Sequence, residues 1–186
     1  MDGDVWTRLR KSFSLPRNSW VSSIGTDALI VAQMQVGCVR GKCATGGHCS
    51  NQMMQDGLNA MLSVRRLPGK EMSLFASQQI SPGGFVCQYT GEVVRSAVYQ
   101  RRQMELKGAK NYYGMTITSN EVVDARVFGN VARSANHSCQ PNCVVERWDV
   151  DGETCCGLFA KRLIENDEEI TFDYGGGNAT TRVRAG

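Results

Sequence analysis

The chain has 186 residues, 41 % of them apolar and 21 % charged, with a formal charge of +3. That length suffices for one domain with a real core, and the composition excludes wholesale disorder. No apolar run approaches the roughly 20 residues that span a bilayer, the N-terminal text MDGDVWTRLRK lacks the apolar centre of a secretory signal, and the charge is too small for a nucleic-acid footprint. The expectation is a soluble intracellular protein with no membrane partner and no sequence-specific nucleic acid.

Residues 1–36 mix Ser, Asn, Arg and scattered aromatics without a sustained period and read as an N-terminal extension. Its basic cluster, Arg8, Arg10 and Lys11, is either a localisation signal or a solvated tail. Residues 37–57 form a Cys-rich segment that opens GCVRGKCATGGHCSN, with too little apolar mass for a regular element unless something clips it together. Eight cysteines without a secretory signal point to metal ligands, core thiols or reactive thiols before disulfides. Cys38, Cys43 and Cys49 offer three thiolates where tetrahedral zinc takes four, and His48 is a sterically awkward fourth beside Cys49. A metal-free loop, or a site completed by another chain, is the alternative. Cys87, Cys155 and Cys156 fall in strand-like text and read as core.

From Leu74 the text becomes β-like. Phe85, Cys87 and Tyr89 alternate with Val86, Gln88 and Thr90 after the turn signal Ser81-Pro82-Gly83-Gly84, which predicts two short strands. Ser96 is suited to cap one short helix running through Ala97, Val98 and Tyr99 to about Lys107, with Gly108 as its stop. Residues 112–118 and 121–124 read as strands joined at Ser119-Asn120. Residues 144–150 pair with 153–160 across Asp151-Gly152, a strong hairpin signal. After the turn text Glu165-Asn166-Asp167, residues 169–174 read as a last strand. Many short strands with little helix indicate a mainly β domain.

Two segments carry a resemblance. Gly129-Asn130-Val131-Ala132-Arg133-Ser134-Ala135-Asn136-His137-Ser138-Cys139-Gln140-Pro141-Asn142-Cys143 resembles the SET-domain signature GNxARFxNHSCxPNC, with Ser134 in place of the phenylalanine. Further on, Glu169-Ile170-Thr171-Phe172-Asp173-Tyr174 looks like the second signature, ELTFDY. Between them, residues 146–152 and Gly157-Leu158-Phe159-Ala160 are similar to methyltransferases that act on lysine 36 of histone H3. Upstream, Gln88-Tyr89-Thr90-Gly91-Glu92-Val93 is similar to the family's EYxGEV. The patch ending His48-Cys49-Ser50-Asn51-Gln52 looks like the back half of the zinc module associated with SET domains, without its front cysteines.

The resemblance implies a SET fold of several small sheets with a pseudo-knotted C-terminal segment, a SET domain over residues 58–176, and a tail over 177–186 without the cysteines that follow the domain in relatives. It implies a lysine N-methyltransferase that uses S-adenosylmethionine, acts on a histone tail or nucleosome, and works in the nucleus on chromosomes beside other chromatin proteins. A catalytically degenerate SET domain serving as an interaction module is the alternative. The cofactor is expected on Lys70, Glu71, Met72, Asn111, Tyr112, Tyr113, Arg133, Asn136, His137 and Tyr174. Tyr174 is expected as the channel tyrosine nearest the chemistry and Tyr112 as a second wall, with Phe172 and Tyr113 lining the substrate channel.

Those residue types suit the reaction. Methyl transfer is an in-line displacement, so amine, methyl carbon and sulfur must be held in line at near-attack distance. The amine must also be neutral, and a lysine pKa of about 10.4 makes that cost about 4–5 kcal/mol at pH 7, which an apolar aromatic channel lowers. Tyrosine faces attract a cation and their hydroxyls hydrogen bond the amine. Two departures stand out. Glu71-Met72-Ser73 occupies the place of the family's Gly-Trp-Gly, so Glu71 and Ser73 are expected to crowd or reshape the pocket, with Lys70 offsetting the charge of Glu71. Cys139, which in the family shares a zinc with cysteines after the last tyrosine, is followed here by GGGNATTRVRAG and is expected to be a free core thiol.

Overall fold

In the computed structural model, which describes residues 34–43, 49–57, 60–69, 72–106 and 113–175 and the backbone of Arg8–Leu9, the β-like text folds into three sheets. In chain order the strands are β1 (Arg8–Leu9), β2 (Val36–Gly37), β3 (Leu62–Arg65), β4 (Ser73–Ala76), β5 (Phe85–Tyr89), β6 (Gly91–Arg95), β7 (Gly114–Thr116), β8 (Glu121–Gly129), β9 (Asn136–His137), β10 (Cys143–Val150), β11 (Glu153–Ala160) and β12 (Thr171–Phe172). The helices are α1 (Met53–Asp56) and α2 (Ser96–Glu105). One sheet has the order β1-β6-β8-β7, a second β5-β11-β10-β12-β9 with β2 beside β10, and the third pairs β3 with β4. Among the described residues no helix is long and apolar enough to cross a membrane.

The mainly β architecture agrees with the expectation, and the β10–β11 hairpin forms where Asp151-Gly152 calls for it. Both turn residues take positive φ, 57° and 78°, the left-handed pair that matches strand twist in a two-residue loop. Several details differ. α1 adds a one-turn helix to the single helix expected, and α2 begins at Ser96 itself, with Arg95 in the cap position and no side-chain cap bond. β8 runs on to Gly129, past the expected end at Asp124. The last strand shrinks to Thr171–Phe172, because Glu169 leaves it to bridge Phe75.

The main core gathers Leu74, Val86, Cys87, Leu158, Ile164 and Ile170, all fully enclosed. Every residue of β5 is buried. Val86, Cys87 and Tyr89 join the main core while Phe85 packs with Trp148 and Phe159 in a second cluster, so both faces are covered. Cys155 and Cys156 are buried as expected, whereas Cys139 is exposed. It sits on the solvent side of the turn after β9, not in the core. α2 is tied to the first sheet by Arg102, which grips Glu92 at 2.7 and 3.0 Å and reaches Asp124 at 3.2 Å. Burial alone would raise the Asp124 carboxyl, but hydrogen bonds from Arg126 and Arg102 hold it below the usual carboxylate range.

β12 lies between β9 and β10 and runs parallel to both, with Thr171 opposite Asn136, Phe172 opposite His137, and Cys143 opposite Phe172. Because β9 and β10 follow one another in the chain, the last strand sits inside the bight they form. Asn142, 1 % exposed, staples this arrangement. Its Nδ2 donates to Glu168 Oε1 and to the Glu169 carbonyl, both at 2.8 Å, and its Oδ1 accepts the Thr171 N–H at 2.9 Å. Arg162 donates to Glu168 Oε1 at 2.6 Å, and this bond is the main reason the Glu168 carboxyl falls from an ordinary 4.5 to about 2.

A folded-state pKa below the unfolded one stabilises the fold above the unfolded value and is lost as pH falls through the folded one. Glu168 therefore contributes stability at neutral pH that disappears as pH drops from about 4.5 to about 2. Glu168→Gln is expected to flatten this acid limb, measured as urea unfolding at neutral pH and near pH 3.

Candidate active site

The site is assembled where the two C-terminal signature segments meet. A 3₁₀ turn over Val131–Ser134 is capped by Asn130, whose Oδ1 accepts the Ala132 N–H at 3.2 Å while its Nδ2 donates to the Gln88 carbonyl at 2.6 Å. The chain leaves this turn extended at Ala135 and enters β9. Asn136 there donates from Nδ2 to Ser73 Oγ and to Glu169 Oε1, each at 2.8 Å, with the Met72 carbonyl at 3.4 Å. Its two N–H protons are thereby used, and Oδ1 makes no hydrogen bond among the described residues. It is left as an acceptor.

His137, next along β9, accepts the Tyr174 N–H on Nδ1 at 3.2 Å, so the proton of the neutral ring belongs on Nε2, 3.5 Å from Cys139 Sγ. Asp173 Oδ1 lies 3.7 Å from the same Nδ1. The Tyr174 hydroxyl donates to the Ala135 carbonyl at 2.9 Å, and its ring lies 4.8 Å from that of Phe172 and 5.4 Å from that of His137. Burial, with Tyr113 and Glu169 nearby, pushes the Tyr174 hydroxyl up to about 12, so at physiological pH it is a neutral hydrogen-bonding group and no base.

Arg133 donates to the carbonyls of Ala125 and Arg126 at 3.2 and 3.4 Å, and its guanidinium lies 5.9 Å from the centre of the Tyr113 ring. Tyr113 is pinned through its backbone, its carbonyl accepting the buried Tyr89 hydroxyl at 3.2 Å and the Ala125 N–H at 2.9 Å. The result is a group of aromatic rings beside one amide oxygen that makes no hydrogen bond among the described residues. Such a surface suits a bound ammonium and a desolvated amine.

Of the residues expected at the site, Asn136, His137, Phe172 and Tyr174 come together through β9 and β12, Met72 joins them through its carbonyl, and Arg133 meets Tyr113. Lys70, Glu71, Asn111, Tyr112 and His48 lie outside the described residues. Ser73, expected to crowd the pocket, is wholly enclosed with its hydroxyl turned inward onto Asn136. Sequence reasoning did not single out Glu169 or Asn142. Both stand within the two signature segments, and that position was the available signal.

A second cluster lies in the Cys-rich segment. The sulfurs of Cys38, Cys43 and Cys49 lie within 4.8 Å of one another. Gly41, at φ 79°, lets the chain double back so that the N–H groups of Lys42 and Cys43 both reach the Val39 carbonyl at 3.1 Å. Asn51 Nδ2 points at Cys38 Sγ from 3.4 Å, and burial pushes the Cys38 thiol up to about 11. Three converging sulfurs fit zinc, which deprotonates thiols it binds.

A family model of the SET domain matches residues 71–175. The histone-lysine N-methyltransferase ASHH2 of Arabidopsis thaliana is 38 % identical over 143 residues, 76 % of this chain and 8 % of the relative. An H3 lysine-36 specific histone-lysine N-methyltransferase of Emericella nidulans is 35 % identical over 170 residues, 88 % of this chain and 17 % of the relative. The chain thus spans less than a fifth of either relative. Among solved structures, the methyltransferase domain of human histone-lysine N-methyltransferase SETMAR matches with a TM-score of 0.69 at 31 % identity, covering 76 % of this chain and 54 % of that chain.

Proposed function

Because this chain belongs to the SET-domain family, we propose that it is a protein-lysine N-methyltransferase that uses S-adenosylmethionine and acts on histone H3 at lysine 36 within nucleosomes. The observation that carries this reading is the parallel pairing of β9 with β12, which joins Asn136 and His137 to Phe172 and Tyr174 in one surface. The donor set fits the cofactor, since the unengaged Oδ1 of Asn136 accepts from an amino-acid ammonium. When bound, S-adenosylmethionine supplies a methyl group on a positively charged sulfur.

The chain's own residues do the rest. Phe172 and Tyr174, with Tyr113, and Tyr112 by the family's pattern, are assigned to a channel that keeps water from the lysine and favours its neutral form. The Tyr174 hydroxyl, held by the Ala135 carbonyl, orients the amine. His137 fixes the chain at Tyr174 by accepting its N–H. Arg133 holds the backbone of residues 125–126 beside Tyr113, and the family's pattern assigns Lys70, Glu71, Met72 and Asn111 to the cofactor. Residues 58–176 are read as the catalytic domain, and residues 37–57 as a segment tied by zinc on Cys38, Cys43 and Cys49. The setting is the chromosome in the nucleus, among other chromatin proteins.

The test is incubation of the chain with recombinant nucleosomes and methyl-labelled S-adenosylmethionine, with metal analysis of the same preparation. The expected result is label on H3 that disappears when its lysine 36 is replaced by arginine, and zinc that is lost in Cys49→Ser. A folded chain that binds no S-adenosylmethionine would instead support an interaction module, the reading favoured by the replaced glycines at Glu71-Met72-Ser73.

A further inference from the structure

We infer that Ser73 is a positioning residue that holds the Asn136 amide with its oxygen outward, and so sets the affinity of the site for the amino-acid head group of its cofactor; this rests on the functional reading above. Ser73 opens β4 and is fully enclosed, so its hydroxyl has no water to serve. It faces Asn136 Nδ2 at 2.8 Å.

An asparagine amide can sit in two orientations that exchange its oxygen for its nitrogen. Here every inward group is able to accept. The Glu169 carboxylate oxygen at 2.8 Å and the Met72 carbonyl at 3.4 Å can only accept, and the Ser73 hydroxyl takes the second proton at 2.8 Å. Without that hydroxyl, one N–H is left with only the long contact to Met72. The side chain then keeps the Glu169 bond, which still directs its nitrogen inward, but loses the other short bond, so the Oδ1 acceptor is held less firmly for a ligand. Glycine at this position, as in the resembling signature, offers no such group. Ser73 is therefore a local gain by this chain and not merely a lost glycine.

The experiment is calorimetric titration of the chain and of Ser73→Ala with S-adenosylmethionine and with methylthioadenosine, which carries the nucleoside but no amino-acid head group. Ser73→Ala is expected to weaken S-adenosylmethionine about five- to tenfold, the worth of one buried hydrogen bond, and to leave methylthioadenosine unchanged. In an Asn136→Ala background the Ser73 change is expected to add nothing, because its effect runs through Asn136. Equal affinity of the two proteins for S-adenosylmethionine, equal weakening of both ligands, or full additivity in the double variant would each overturn the inference. Ser73→Gly, read with the same two ligands, stands in if the alanine variant does not fold. A folded wild-type chain that binds neither ligand would overturn the functional reading and this inference with it.

Discussion

Tyr174→Phe is expected to slow methyl transfer by about 100-fold or more while S-adenosylmethionine affinity changes by no more than about threefold. The phenyl ring keeps its place between Phe172 and His137, whose centres lie 4.8 and 5.4 Å away, so the wall of the channel survives. What is lost is the hydroxyl that spans from the ring to the Ala135 carbonyl. A misplaced amine misses the in-line geometry, and the loss falls on turnover. The buried Ala135 carbonyl also loses its side-chain donor, so a stability loss of about 1 kcal/mol should accompany the change. Because burial holds the hydroxyl up to about 12, the wild-type rate should show no titration of Tyr174 across the physiological range. Single-turnover rates beside calorimetric affinities separate the two effects, and an unchanged rate would remove Tyr174 from the proposed chemistry.

Asn142→Ala should be among the most damaging single changes to stability, at about 3–5 kcal/mol. The side chain is enclosed and serves Glu168, the Glu169 carbonyl and the Thr171 N–H at once. Alanine would remove the partner of the Glu169 carbonyl and the Thr171 N–H and one of the partners of Glu168. Since the same bonds hold β12 between its neighbours, cofactor binding should fall together with stability. Urea unfolding monitored by tryptophan fluorescence measures the first. A loss within about 1 kcal/mol would mean that strand pairing alone secures the segment.

The parts of the fold that were legible from sequence are those whose cause is local. Asp151-Gly152 demands a tight turn, and the hairpin follows with the expected partners. The buried state of Cys155 and Cys156 follows from the strand text around them. What was not legible depends on the third dimension. β3 carries the alternation Leu62-Ser63-Val64-Arg65, but it is too short to stand out before its partner β4 is known. Arg95, not Ser96, stands in the cap position of α2, without a cap bond, because β6 delivers the chain extended right up to that point.

Asn136, His137, Phe172 and Tyr174, named from the two signatures, are brought together by β9 and β12, while the contact made by Ser73 could not be read. A serine in a glycine's place looks like an obstruction until its hydroxyl has a partner, and that partner lies 63 positions away. Cys139 was misread for the same kind of reason. With no cysteine after Tyr174 to share a metal it was expected as a free core thiol, yet the turn after β9 leaves it exposed to solvent.

The lodging of β12 between β9 and β10 also bears on how the protein comes off the ribosome. The N-terminal strands and the long β10–β11 hairpin can pair as they emerge, since each partner is already present. The place between β9 and β10 can be filled only once the later residues that fill it have been made. A nascent chain can therefore be largely folded while the proposed cofactor surface is still unmade. Competence arrives late and all at once, when Thr171 and Phe172 slide into register with Asn136 and His137.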